Sequence, residues 1–320
     1  MGSTQLSLFS FFETNYSQVL KREYKGNSVK KRAYFSQSKI AKGILEDLLL
    51  SLVRELKLER NELEELMQKS PLQNIAKHIR MELGKKSLFP RYFVVIDIKK
   101  AYENTSFKMI SDFLRKKGVT DELIEKLREM SFTPDKRIIT GATSSPFLFN
   151  YYCEKTIDEK LERYMHGKNI VYTRFFDDLI FSSQEPIGLR KRKRFLEIIR
   201  GAGYESNSGK MRVLDLAHGP ILLNGFFISY DKKKGSCDIT LDRKQMRKIE
   251  SVLQNAIAKP KKYKREFVDG TVGTLKHLCR RKGFATVREQ KLLDLYLSYS
   301  ISAPPSKLKK RQLERWYEPF

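Results

Sequence analysis

"YTRFFDDLIFSS", Tyr172 to Ser183, sets two adjacent acids, Asp177 and Asp178, between apolar, β-rich flanks. Successive side chains of an extended chain alternate, so Val171, Thr173 and Phe175 face one way while Tyr172, Arg174 and Phe176 face the other. The stretch predicts two β runs joined at the acids, with Asp177 and Asp178 presented together. Adjacent carboxylates repel, and a folded chain keeps both ionised only where water, cations or a metal compensates. An isolated Asp-Asp in a turn is ordinarily turn chemistry, so the rest of the chain has to decide between that reading and a cation site.

A further acid ends another strand. "RYFVVIDIKKAY", Arg91 to Tyr102, runs from Phe93 to Ile98 in β-branched and apolar residues without helical spacing, the pattern of a buried strand. Asp97 lies near its end. Side-by-side pairing of the two segments would bring Asp97 to Asp177. That would give oxygen ligands for two Mg²⁺ ions about 3.5 to 4 Å apart, the clamp used for in-line phosphoryl transfer.

Composition supplies a partner for such chemistry. The chain has 320 residues, is 40% hydrophobic and carries a formal net charge of +25. The hydrophobic content fits a folded protein, while a surplus of that size repels itself unless a polyanion neutralises it, which makes nucleic acid the leading partner. No apolar run approaches the roughly 20 residues that span a bilayer. "MGSTQLS" places Leu6 where a myristoylation signal needs Ser or Thr, and nothing marks secretion. A cytoplasmic protein without a membrane partner is expected. Cys153, Cys237 and Cys279 form no C-x-x-C pair, so neither zinc nor a disulfide framework is suggested. His78, His166, His218 and His277 are equally scattered and read as satisfied or solvated side chains.

Around these strands the pattern is helical. From Gly43 to Gln68 apolar residues such as Leu45, Leu48, Leu49, Leu52 and Leu56 recur at helical spacing. "TDELIEKLREM" reads as a helix with Thr120 at its N-cap, and "TSSPFLFNYYCEKTIDEKLERYM" as one capped by Ser144 or Ser145 with Pro146 in the first turn. "QEPIGLRKRKRFLEIIRGAGYE" is a basic helix between a Pro/Gly break and a glycine stop. "ILLNGFFISY" holds the strongest hairpin signal, Asn224-Gly225. From Asp242 the chain is again helical. The organisation is helical, then mixed α+β, then helical.

In this order the segments resemble the motifs of reverse transcriptases. "VVIDIKKAY" resembles their first palm motif, "TGATSSPFLFN" the Gly-Ser/Thr-Ser-Pro-Asn motif, "YTRFFDDLIFS" the Y-x-D-D hairpin, "SNSGKMRV" the lysine motif and "LLNGFFIS" the primer-grip hairpin. They run from Arg91 to Ser229. "GNSVKKRAYFS" and "NIAKH" are similar to the fingers of bacterial retron-type enzymes. The resemblance implies an α+β right-hand fold: fingers over 1–90, palm over 91–235, and a helical thumb with a basic tail over 236–320.

Carried over by motif, it makes Asp97 and Asp177 the metal-bridging carboxylates, Asp178 the third acid, and the Ile98 carbonyl a further metal ligand. Two Mg²⁺ ions are implied, with Mn²⁺ as a substitute. Tyr102 matches the aromatic steric gate against a ribose 2′-OH; otherwise it is a tyrosine packed beneath the strand. Gly141 and Ala142 would let backbone approach the nascent base pair. Lys210 matches the lysine that protonates departing pyrophosphate, and Lys30 and Arg32 match fingers cations on the triphosphate. Phe175 and Phe176 stand where retron-like enzymes usually have Tyr and Ala, and would face the primer terminus. Asn224 and Gly225 would touch primer, and Lys261 and Lys262 template. Basic runs at Arg190–Arg194 and Lys259–Arg265 would contact phosphates.

The resemblance thus implies an RNA-directed DNA polymerase that takes dNTPs, copies a dedicated structured non-coding RNA, itself the template and a source of primer, and makes DNA, with a setting in bacterial anti-phage defence. A homo-oligomer or an accessory defence protein is a further partner class. Template-independent or protein-primed DNA synthesis, RNA-templated RNA synthesis and a non-catalytic RNA-binding scaffold remain as alternatives.

Overall fold

The computed structural model describes residues 16–25, 28–59, 62, 66, 71–79, 90–206, 211–231, 236–259, 262–283 and 285–302. They form two compact units, one up to Leu214 and one from Asp215. The architecture is α+β, as the sequence predicts.

The first unit opens with strands β1 (Tyr16–Lys25) and β2 (Ser28–Gln37), paired antiparallel. Neither was legible in the hydrophobic pattern, because both are rich in charged and polar residues. Helix α1 (Lys39–Glu55) follows, with the Ser38 hydroxyl accepting from the Ala41 amide at 3.1 Å. Next come α2 (Pro71–His78), β3 (Tyr92–Asp97), the single turn α3 (Ala101–Asn104), α4 (Phe107–Lys116) and α5 (Asp121–Ser131). Thr120 does stand at the N-cap of α5, but it does not cap: its amide and hydroxyl donate to the Glu55 carboxylate of α1 at 2.8 and 3.0 Å.

Helix α6 (Ser144–Cys153) leads through a π-helical turn (Glu154–Asp158) into α7 (Glu159–Met165). Its N-cap is Thr143, not Ser144 or Ser145. Both serines are buried and bond elsewhere, Ser144 to the Ser131 hydroxyl and Ser145 to the Ile139 carbonyl, which fastens the preceding loop to the helix. Strands β4 (Val171–Phe175) and β5 (Asp178–Ser183), helix α8 (Leu189–Gly201) and strand β6 (Arg212–Asp215) complete the unit.

The strands form one sheet in the order β4-β5-β3-β6. Facing residues of antiparallel strands share a side of the sheet, so Tyr172 and Phe181 lie together, their rings 4.9 Å apart. Phe181 in turn stacks on Phe195 of α8 at 4.0 Å, and α6 adds Phe147, Leu148 and Phe149 to the same core. The opposite side meets α2. There His78, fully buried, is bonded at both ring nitrogens, to Ser182 at 2.7 Å and Thr173 at 2.8 Å.

The second unit begins with a three-stranded antiparallel sheet, β7 (Ile221–Leu223), β8 (Phe226–Asp231) and β9 (Ser236–Leu241). Asn224 and Gly225 form the β7–β8 turn with φ of 47° and 86°. Positive φ at both central residues is what a two-residue type I′ hairpin requires. Helices α9 (Arg243–Ala258), α10 (Arg265–Lys282) and α11 (Val287–Ser302) follow. None of the described helices is long and apolar enough to cross a membrane, and all three cysteines are free thiols.

Candidate active site

The acids meet where β3 and β5 end. Asp97 stands directly opposite Asp178 in the antiparallel register, and the Ile98 amide donates to the Asp177 carbonyl at 2.9 Å. Asp97 therefore faces Asp178 first, with Asp177 on the next rung, in the two-residue turn between β4 and β5. Opposed residues on one sheet face have Cβ atoms about 4.5 to 5.5 Å apart, and like charges so placed destabilise the sheet. All three acids are half-buried, and the strand behind Asp97 is apolar and buried from Phe93 to Ile96. A rigid sheet end thus holds repelling carboxylates near the surface, an arrangement that a cation relieves.

Among the described residues no group of three or more His, Cys, Asp or Glu side chains is gathered as a protein-only metal cage. Mg²⁺ does not need one, since it is usually held by one or two carboxylates together with substrate phosphates and water. Asp97, Asp177 and Asp178 are the carboxylates that could hold such an ion here, with the Ile98 carbonyl as a further oxygen donor. That hard-oxygen donor set fits a magnesium-type ion.

The turn that carries Asp177 is strained and externally held. Phe176 has φ of 52°, a left-handed conformation unfavourable for a bulky side chain. Its carbonyl accepts from Nη1 of Arg174 at 3.1 Å. Arg174 is itself fixed on every side. Its Nε reaches both oxygens of Asp158 at 2.9 and 3.0 Å, Nη2 bonds Asp158 Oδ2 at 2.8 Å, and Nη1 bonds the Asn150 side-chain oxygen at 2.9 Å. Tyr172 donates to Asp158 at 2.6 Å, and Asn74 donates to the Arg174 carbonyl at 3.0 Å. Burial works against the Arg174 charge, but Asp158, with Cys153 and Tyr172 adding to it, more than offsets burial and the guanidinium stays firmly protonated. Asp158 ends the π-helical turn after α6, and such turns cluster at functional sites because they re-aim one side chain. The sequence analysis missed this network; the available signal was an arginine at a core-facing position of a strand.

Tyr102, on α3, is half-buried with its ring 5.2 Å from Phe149 in a stacked pose. Burial first, and then the charge of Asp177, push its hydroxyl well above the usual tyrosine range. Tyr102 therefore packs on Phe149 of α6 and lies within electrostatic reach of the turn acid. Phe175 and Phe176 stand beside the acids, rings 4.8 Å apart and edge to face.

Gly141 is exposed with φ of 110°, and a Cβ there would run into the Phe35 carbonyl. The Phe35 amide bonds the Thr140 carbonyl at 2.9 Å, and Gln37 accepts from the Thr143 amide at 2.8 Å. The end of β2 is thereby stitched to the loop of Gly141 and buried Ala142. Lys30 and Arg32 lie on β2, opposite Glu23 and Lys21; their side chains lie outside what the structure describes. Lys210 and Lys261 are likewise outside the described residues. Asn224, Gly225 and exposed Lys262 belong to the second unit.

Residues 32–263 match the family model described as reverse transcriptase (RNA-dependent DNA polymerase), and the chain belongs to that family. It is 39% identical over 71 residues to the Retron Ec86 reverse transcriptase of Escherichia coli, 22% of each chain. The likeness thus spans about a fifth of that relative's length. The fold is similar to telomerase from Candida tropicalis in complex with a TWJ fragment of telomeric RNA, with a TM-score of 0.50 and 12% identity, over 92% of this chain and 60% of that one. The apo form of that telomerase aligns at 0.49 and 11% identity, over 97% of this chain and 72% of that one.

Proposed function

We propose that the chain is an RNA-directed DNA polymerase that adds dNTPs at the end of β3 and β5 and copies a dedicated structured RNA. The observation that carries this reading is the direct opposition of Asp97 and Asp178, with Asp177 on the adjoining turn. Family membership supports the reaction type, and the likeness over 71 residues to a retron reverse transcriptase of Escherichia coli supports a bacterial enzyme. A setting in anti-phage defence rests on that likeness as analogy.

When bound, divalent Mg²⁺ would neutralise the triphosphate and polarise its reacting phosphorus centre. Asp97, Asp177, Asp178 and the Ile98 carbonyl would hold the ions. Tyr102 would close the sugar pocket against a 2′-OH. Gly141 and Ala142 would let backbone approach the nascent base pair. Lys30, Arg32 and Lys210 would contact the triphosphate, and Phe175 and Phe176 the primer end. Asn224 and Gly225 would position the primer strand, and Lys261 and Lys262 the template.

The test is to purify the protein with its bound nucleic acids and sequence both the RNA and any DNA made on adding dNTPs. DNA complementary to one bound RNA species supports the reading. DNA without any complementary RNA would replace it by untemplated or protein-primed synthesis.

A further inference from the structure

We propose that the end of the first unit's sheet remote from the acids is a second RNA-binding face, one that grips a double-stranded stem outside the catalytic site. It rests on RNA being the partner, and not on the chemistry at Asp97. Its residues are Arg190, Lys191, Lys193 and Arg194 of α8, with Lys168 from the loop before β4.

Position makes this face separate. Asp178 and Ser183 mark the two ends of β5, about 17 Å apart at a rise of about 3.3 Å per residue. The acids hold the first end; at the second, the Arg91 amide bonds the Ser183 carbonyl at 3.1 Å. Helix α8 starts at that second end and runs back along the sheet, since Phe195 stacks on Phe181. Lys168, Asn169, Gln184, Glu185 and Lys191 line one open hollow there, of about 250 Å³, together with Ser183. Arg190, Lys193, Arg194, Tyr164 and Glu197 line another, of about 550 Å³.

The charge placement is costly for the protein alone. The first turn of α8 contains no acid and its N-cap, Gly188, provides no side-chain bond, yet cations crowd that turn against the helix dipole. Arg194 pairs with Glu197 at 2.9 Å; among the described residues Arg190, Lys191 and Lys193 have no ion pair. An external polyanion relieves that repulsion.

The chemistry of the face selects duplex RNA. Single strands need aromatic faces on which bases stack, but of the rings lining these two hollows His78 is fully buried and Tyr164 is covered by the Lys168 ammonium, 3.5 Å from its centroid. Duplex RNA is recognised through phosphates and 2′-hydroxyls, which suits a row of Arg and Lys. Anionic lipid would call for an apolar flank to insert, and Leu189 is the large apolar side chain exposed here.

The test compares wild type with an Arg190→Ser, Lys193→Ser, Arg194→Ser variant, after matching their thermal midpoints. Binding of a hairpin RNA of about 16 base pairs, the length one duplex-RNA module spans, is measured over a KCl series. Extension of a short RNA–DNA template–primer is measured alongside. The expected result is a loss of about tenfold or more in hairpin affinity and a log–log salt slope shallower by about 2 to 3, with a much smaller loss in extension of the short hybrid. Unchanged affinity and slope would overturn the proposal, leaving a solvated surface. An equal loss in extension of the short hybrid would overturn it by returning these cations to the catalytic duplex path, as would transfer of the effect to anionic vesicles with hairpin binding intact. A wild type that binds the hairpin in this way but extends nothing would count against the polymerase reading alone.

Discussion

Nη1 of Arg174 donates to the carbonyl of Phe176, 3.1 Å away, and to the Asn150 side-chain oxygen, while Nε and Nη2 grip Asp158. One buried guanidinium thereby couples the π-helical turn after α6 to the turn that presents Asp177. Arg174→Met would take the guanidinium away from the buried Asp158 carboxylate, and a loss of about 3 to 5 kcal/mol is expected in urea unfolding. Tyr172→Phe removes a single bond to Asp158 and is expected to cost about 1 kcal/mol. Arg174→Lys keeps the charge and loses the fork. If the turn positions Asp177, that variant should lose kcat by about 10²-fold with a much smaller change in KM for dNTP, and retained kcat would reduce Arg174 to a packing role.

Gly141 bears on both backbone and partner contact. In Gly141→Ala the methyl would meet the Phe35 carbonyl at a φ that alanine avoids. A loss of roughly 1 to 3 kcal/mol in stability is expected, with the β2 end displaced from the Thr140–Thr143 loop. Hydrogen exchange at the Phe35 amide is the readout: faster exchange supports the stitch, and unaltered protection contradicts it.

Tyr102→Ala should weaken discrimination against ribonucleotides by about tenfold or more, if the ring closes the sugar pocket. Competition between a dNTP and its rNTP in single-nucleotide extension measures it. An unchanged ratio would leave Tyr102 as the stacking partner of Phe149.

Acid should loosen the contact between α2 and the sheet. Burial, with Lys77 adding to it, pushes His78 down to about 3, below the ordinary value of about 6.5. The unfolded chain then binds the extra proton in this window, so stability is full above pH 6.5 and falls as pH drops from there toward 3, by about 1.4 kcal/mol per pH unit from this group. Between pH 6.5 and 5 the wild type should lose urea resistance more steeply than His78→Asn, which starts less stable. Parallel slopes would contradict the assignment.

The acids were readable because strand alternation and a short apolar run fix which residues end β3 and β5; only their register, Asp97 to Asp178, needed the structure. The Asn224-Gly225 turn was readable for a local reason, positive φ at both positions. Strands β1 and β2 were not, since "YSQVLKREYK" and "SVKKRAYFSQ" carry no apolar alternation and are defined by pairing with each other. The Asp158–Arg174 pair joins residues 16 positions apart through a π-helical turn, a shift of helical phase that apolar spacing does not encode. Ser144 and Ser145 have capping chemistry, yet tertiary partners claimed their hydroxyls.

The central claim is that Asp97, facing Asp178 across the sheet end with Asp177 on the adjoining turn, makes the polymerisation site together with these two acids. Its most direct measurement is labelled dNTP incorporation on a primed RNA template with Mg²⁺, by wild type and by Asp97→Asn, Asp177→Asn and Asp178→Asn at matched folding. Incorporation by the wild type, with a loss of about 10³-fold or more in Asp97→Asn and Asp177→Asn, is the predicted result. Incorporation that survives in both variants, or none by the wild type despite RNA binding, would contradict it.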